Sequence, residues 1–227
     1  LADTSGLEEK IAGIEKEIIL AEKTYDNAAE SLSIARRAAV KGFAGSVCTL
    51  IRSLDLERSV FDVVLGDAAP GPDGKDSILF VFSSTGTSPV DVAKCASGGE
   101  LSRIMLSLKA MMARYTNMPA MIFDEIDTGV SGSAADKMGS MICSMGAYMQ
   151  VFAITHLPQV AAKGDAHYIV TKKFSGDKAG TEIRRISGGD RVNEIARMLS
   201  GSEITPEAVA NAEALLSKQI SPISHER

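Results

Sequence analysis

Two short apolar runs, each stopped by polar chemistry, constrain this chain most. Ala120-Met121-Ile122-Phe123 runs into Asp124-Glu125, and Val151-Phe152-Ala153-Ile154 runs into Thr155-His156. Unbroken apolar runs of this length read as strands buried on both faces of a parallel sheet. Helical patterns precede and separate them, with strands expected at 120–124 and 150–155. That alternation is the βαβ rhythm, so the expected class is α/β, a mostly parallel sheet flanked by helices. Further strands are expected at 166–173 and 181–186. Two helices follow, one over 190–199 and one opening at Thr205 with Pro206 in its first position.

The first forty residues obey a different period. Leu7, Ile11, Ile14, Ile18, Ala21, Tyr25, Ala28, Leu32, Ala35 and Ala39 alternate spacings of four and three, with Glu and Lys filling the flanks. This heptad seam predicts a coiled coil, against the alternative of a surface helix packed on a globular core. Its partner strand is not evident in the sequence, so the seam is expected to pair with another segment or another chain. The helical pattern continues past Gly42 through Val47, Leu50, Ile51 and Leu54. Phe61-Asp62-Val63-Val64-Leu65 and Ile78-Leu79-Phe80-Val81-Phe82 then flank Pro70-Gly71-Pro72-Asp73-Gly74, which predicts a long β-hairpin.

Composition excludes several classes. A net charge of −5 argues against a dedicated basic nucleic-acid module. The 3 cysteines, Cys48, Cys95 and Cys143, are odd in number and lack metal-ligand spacing, so they read as reduced thiols. No apolar run approaches the length of a membrane span.

The chemistry lies in three places. Ser97-Gly98-Gly99-Glu100 has the form of a capping box, with Leu101, Met105, Leu108, Met112 and Tyr115 as the buried stripe of the helix it opens. Glycine in a first turn costs a helix about 1 kcal/mol relative to alanine, so two of them point to close approach of a ligand to the backbone. Free amides at the positive end of a helix suit a phosphate. Asp124-Glu125 are adjacent carboxylates at a strand end, the arrangement that in phosphoryl transfer supports Mg²⁺ and activates water. His156 ends the next strand, and ligands of open α/β sheets bind beyond such carboxyl ends. Each feature alone has a plainer reading: a capped amphipathic helix, an exposed acidic turn, a structural histidine. Asp127-Thr128-Gly129-Val130-Ser131-Gly132 reads as a tight loop entering a helix.

Taken together, these segments resemble the RecN family, SMC-like ATPases of bacterial DNA repair built on the ABC plan. Lys94 to Leu106 is similar to the family's ABC signature, Ile122 to Gly132 to its Walker B and D-loop, and Ile154 to Ala162 to its switch-histidine segment. The hairpin turn at 70–74 and Glu194-Ile195-Ala196-Arg197-Met198-Leu199 fit the same pattern. The resemblance implies that Asp124 serves Mg²⁺, that Glu125 is the catalytic base and that His156 senses the γ-phosphate. It implies that Ser97, Gly98, Gly99, Glu100, Asp127 and Ser131 contact ATP, with Ser97 and Gly99 acting on nucleotide held by a second head of a homodimer.

The expected organisation is a stem over 1–45, the returning arm of an antiparallel coiled coil, and a C-terminal lobe of an ABC/SMC-type head over 46–227. No G-x-x-x-x-G-K-[ST] loop occurs in the sequence. Walker A is therefore expected in an N-terminal half outside this chain, and the chain alone is expected to be inactive. The intact protein is expected in the cytoplasm on the nucleoid, in double-strand break repair, recombination and the SOS response, using ATP-driven head engagement to tether DNA. Arg36-Arg37, Lys172-Lys173 and Arg184-Arg185 are the basic pairs available for DNA. The rival readings are a non-catalytic dimerisation module and an ABC transporter ATPase; the stem argues against the latter.

Overall fold

The structure, a computed structural model, describes residues 2–94, 97–175, 178–201 and 203–217. They form two compact units. The first comprises residues 1–48 and 60–94, the second residues 49–59 and 95–227.

One helix, α1 (Ala2–Ser53), runs through the stem without a break at Gly42. The expected hairpin is β1 (Val60–Gly71) and β2 (Gly74–Ser83), antiparallel, with a short third strand β3 (Val90–Asp91) beside β2. Pro72 and Asp73 make the turn, and Gly74 at φ +93 takes the left-handed conformation required of the residue that follows it.

The hairpin grips α1. The Tyr25 hydroxyl accepts the Gly71 N–H at 2.9 Å and lies 3.0 and 3.1 Å from the Gly71 and Gly74 carbonyls to which it donates. Asp76 accepts from Ser33 Oγ at 2.7 Å and from Arg36 Nη1 at 2.9 Å, and Lys75 pairs with Asp26. The helix face used here is Ala29, Ser33, Arg36, Val40, Ala44 and Val47, all buried or half-buried. It is not the heptad seam. Leu7, Ile11, Ile14, Ile18, Leu32, Ala35 and Ala39 are all exposed. The seam is open over most of its length and meets the hairpin at the turn, where its member Tyr25 bonds Gly71 and Gly74 and the Leu32 side chain lies beside Gly74. The hairpin belongs with the helix in one unit, so the structural division differs from a boundary at residue 45.

In the second unit α2 (Gly98–Thr116), β4 (Ala120–Asp124), α3 (Gly132–Met145) and β5 (Gln150–Ile154) follow the predicted order, and β4 pairs with β5 in parallel. A single turn, α4 (Pro158–Ala161), follows. Leu106, Ala110, Phe123, Val130, Ala135, Met138, Ile142 and Met145 form the core between these elements. A smaller cluster of Ala162, Ile195, Ala196, Ala208 and Ala212 joins α5 (Gly188–Ser200) and α6 (Pro206–Ser217). Thr205 caps α6 through the Ala208 N–H at 3.2 Å, as its position predicts.

Two expectations are corrected, and the last two strands, found where they are expected, pair apart from the parallel sheet. The strands at 166–173 and 181–186 form a separate antiparallel hairpin, β6 (His167–Ser175) with β7 (Lys178–Ile186), so among the described residues the parallel part is β4–β5 alone. The two-residue link between them forbids a parallel crossover, which needs a dozen residues or more. The β4–β5 sheet is not buried on both faces: Ile122 is 67 % exposed, Phe152 51 % and Ile154 56 %. The predicted stripe of α2 also faces outward, with Met112 50 % and Tyr115 76 % exposed. Ile104, Leu106, Ala110, Met111 and Ala113 are buried in its place. The helix is apolar on two sides, and periodicity alone does not choose between them.

Replacing Tyr25 by Phe leaves two backbone carbonyls and one N–H of the hairpin turn without their shared partner. It should destabilise the first unit by about 1–3 kcal/mol, read as faster amide exchange across β1 and β2 with α3 unchanged; unchanged exchange in the hairpin would remove Tyr25 from this role. Arg36 first, then Ser33, hold the Asp76 carboxyl below the ordinary carboxylate range. Its contribution is present above the unfolded value near ~4 and is lost as pH falls through the folded value. The Asp76→Asn variant should therefore show a shallower loss of hairpin protection on acidification than the parent chain.

Candidate functional site

Ser97 caps α2 from extended backbone, its Oγ accepting from the Glu100 N–H at 3.5 Å. The two glycines behind it have different reasons to be glycine. Gly98 is exposed, and a Cβ built on it meets nothing within 4 Å. Gly99 is buried, and a Cβ there would lie 2.3 Å from the Gly129 carbonyl oxygen. Gly129 in turn has φ +75, and its own Cβ would lie 3.0 Å from the Gly99 nitrogen. The first turn of α2 therefore packs backbone to backbone against the loop that follows β4. Ser102 Oγ adds a hydrogen bond to the Thr128 carbonyl at 3.0 Å. Arg103 Nε donates to the Gly99 carbonyl at 3.0 Å and Nη1 to the Leu54 carbonyl at 3.2 Å.

The 124–131 loop is held from the other side by β5. Asp124 and Glu125 are both exposed at the carboxyl end of β4. Glu125 has φ +47, left-handed backbone that costs a residue with a Cβ about 1–2 kcal/mol. Three hydrogen bonds fix it there: its N–H donates to the Ile154 carbonyl at 3.0 Å, and its carbonyl accepts the Thr128 N–H at 3.1 Å and the Thr128 hydroxyl at 2.9 Å. Strain of this kind, held by surrounding bonds, gathers at functional sites.

Asp127 is fully buried, unlike its exposed neighbours Thr128 and Gly129. Its Oδ2 accepts the Thr155 hydroxyl, and Thr155 Oγ1 accepts the Leu157 N–H at 2.9 Å. Its Oδ1 is buried without a hydrogen-bond partner. His156, between Thr155 and Leu157, is exposed. Ser131 is exposed at the start of α3, and its hydroxyl makes no cap hydrogen bond.

The predicted residues thus meet in one unit. Ser97, Gly98, Gly99 and Glu100 adjoin Asp127 to Ser131 through the Gly99–Gly129 contact, and Glu125 and His156 are tied through Ile154 and Thr155. Sequence reasoning missed Ser102, Arg103, Gly129 and Thr155; the small-residue pattern around Gly99 and Gly129 was the available sign. Among the described residues no group of three His, Cys, Asp or Glu side chains could hold a metal. Asp124 alone fits a cation that takes one carboxylate and fills its remaining positions with water and phosphate oxygens, as Mg²⁺ does. Of the basic pairs, Arg36 and Arg184 are engaged with Asp76 and Asp190, Lys172 and Arg185 are exposed, and the Lys173 side chain lies outside the described residues, as does Cys95.

No family model matches the chain. It is 36 % identical over 220 residues to the DNA repair protein RecN of Rickettsia conorii, covering 95 % of this chain and 40 % of that protein. It is 40 % identical over 177 residues to the DNA repair protein RecN of Halalkalibacterium halodurans, covering 75 % and 31 %. To that of Vibrio cholerae it is 34 % identical over 212 residues, covering 92 % and 38 %. The chain therefore spans about two fifths of the length of the curated relatives it matches. Its fold is that of SMC head domains. It matches the Smc head domain with a coiled coil and joint derived from Pyrococcus yayanosii with a TM-score of 0.58 at 14 % identity, over 92 % of this chain and 36 % of that one. A chain described under ATP-driven dimerization and DNA stimulated activation of SMC ATPases matches with a TM-score of 0.56 at 14 % identity, over 76 % and 99 %.

The two glycines of α2 should separate cleanly. Gly99→Ala drives a methyl into the Gly129 carbonyl and should destabilise the chain by about 1–3 kcal/mol. Gly98→Ala should be neutral or stabilising by up to about 1 kcal/mol. Urea denaturation of the two variants measures the difference, and equal midpoints would refute the backbone contact.

Proposed function

Since the chain belongs to the RecN family over the part of those proteins that it spans, we propose that it is the C-terminal lobe of an SMC-like ATPase head acting in DNA double-strand break repair. The observation that carries this reading is the convergence of four features in one unit. A glycine-rich helix start, its backbone-packed loop, two carboxylates and a histidine meet at the carboxyl ends of two parallel strands. A ligand bound there is a phosphate-bearing one.

In this reading the residues divide the work of ATP hydrolysis. Asp124 holds Mg²⁺, which when bound neutralises charge on the phosphate oxygens. Glu125 accepts a proton from the attacking water, its backbone fixed by Ile154 and Thr128. His156 hydrogen-bonds the γ-phosphate. Ser97 and Gly98, exposed at the head of α2, offer their hydroxyl and amide to a nucleotide held by a second head, in place of Ser97 and Gly99, because Gly99 is buried against Gly129. Asp127 and Ser131 stand in the loop between the two. Walker A comes from the N-terminal half of the intact protein. DNA is the partner on which head engagement acts.

The uncovered apolar surface supports the same reading. Ile122, Phe152 and Ile154 on β4–β5, Met112 and Tyr115 on α2, and the seam on α1 are each exposed. Apolar surface left open in this way marks where another segment or chain packs. The N-terminal half of the head, and the outgoing arm of the coiled coil, are the segments that fit.

In the full-length protein, Glu125→Gln should cut ATP turnover by roughly 10²–10⁴-fold while ATP still binds, and the heads should remain engaged longer. This chain alone should show no turnover above that of its own Glu125→Gln variant. Near-normal hydrolysis by full-length Glu125→Gln would take the role of base from Glu125.

A further inference from the structure

We propose that Asp127 is a positioning residue, whose buried carboxylate, through the Thr155 hydroxyl, fixes the turn carrying His156 against the loop carrying Glu125. This rests on the ATPase reading for its kinetic consequence but not for its geometry.

The argument begins with burial. Asp127 is 0 % exposed although Thr128 and Gly129 after it are open, and a buried carboxylate is costly unless its oxygens are bonded. Only Oδ2 is: it accepts from Thr155, while Oδ1 is buried without a partner. For stability alone, apolar side chains of similar shape in place of both Asp127 and Thr155 would serve about as well. The carboxylate is therefore explained by the direction of its one bond.

That bond lands at a specific place. Thr155 Oγ1 receives the Leu157 N–H at 2.9 Å while donating to Asp127, so one hydroxyl closes the turn on both sides of His156. Two residues before Asp127 and one before Thr155, the Glu125 N–H donates to the Ile154 carbonyl at 3.0 Å. The two links run in parallel from the acidic loop to the end of β5. The backbone link fixes the height of Glu125; the side-chain link fixes the residue that follows Thr155. A histidine that hydrogen-bonds a reacting phosphate gains from such fixing, because hydrolysis depends on the geometry of the groups around the phosphate more than on new bonds. Asp127 touches no reacting atom in this scheme and acts through Thr155.

The test uses the full-length protein with Asp127→Ala, Asp127→Asn, Thr155→Val, Thr155→Ser and the Asp127→Ala/Thr155→Val double variant. The imidazole NMR signal of His156, identified by its loss in His156→Gln, is followed with ATP turnover. Asp127→Ala and Thr155→Val should move that signal alike, whereas Thr155→Ser and Asp127→Asn, which keep the hydroxyl and an acceptor, should leave it near its parent position. Each of the first two should lower kcat by at least tenfold with KM for ATP changing less than threefold, and the double variant should be no worse than either single one. An unmoved His156 signal in Asp127→Ala, strictly multiplicative losses in the double variant, or a Thr155→Ser protein as impaired as Thr155→Val would each overturn the proposal. If the signals shift as expected while Glu125→Gln still hydrolyses ATP, the positioning stands and the assignment of Glu125 as base falls.

Discussion

The contact between Gly99 and Gly129 is the constraint around which the candidate site is arranged. Two backbones meet where any side chain on Gly99 would lie 2.3 Å from a carbonyl oxygen. Only glycine permits that approach, and it permits it at both partners, since Gly129 also needs φ +75. Once the first turn of α2 is seated there, Ser102 reaches the Thr128 carbonyl and the loop is held from one side. Its other side is held by β5 through Ile154 and Thr155. The helix start and the acidic loop are therefore joined into one piece.

That piece contains unfavourable features. Glu125 holds left-handed backbone, and Asp127 buries a carboxylate with one oxygen unpaired. Each costs on the order of 1–3 kcal/mol. The surrounding core offsets them. Phe123, Met138, Met145 and Leu106 are almost fully buried, and each such side chain contributes about 1.5–3 kcal/mol. The strained loop follows directly from Phe123 and leads through Val130 into α3, so its ends are anchored in that core. Rigid anchors around a strained segment are what a site that must hold a geometry needs.

The first unit solves a different problem. A helix of 52 residues cannot bury all its faces in a small domain. The hairpin takes one face, through Ala29, Ser33, Arg36 and Val40, and its turn reaches the seam at Tyr25, while the seam from Leu7 to Ile18 is left exposed. The grip is largely polar: Tyr25, Ser33 and Arg36 bond the hairpin turn and Asp76. A stem held in this way keeps its seam open for a partner helix, consistent with a coiled-coil arm.

By itself the sequence determined the elements whose signals are local. The β4–α3–β5 order, the 60–83 hairpin with its Pro-Gly turn, the α2 and α6 caps and the long α1 all follow from periodicity and capping chemistry, which depend on near neighbours. It also singled out Asp124, Glu125 and His156 as candidates for the chemistry, because they stand where apolar runs stop. What only the tertiary structure decided was which face of each element is buried. The α2 stripe and both strands are apolar on more than one side, so Leu106 and Ala110 rather than Met112 and Tyr115 were chosen by the shape of α3 opposite them. The reason for Gly99, the burial of Asp127 and the part played by Thr155 were equally hidden. Each arises from a contact between residues about thirty positions apart, and no local pattern encodes a distance across space.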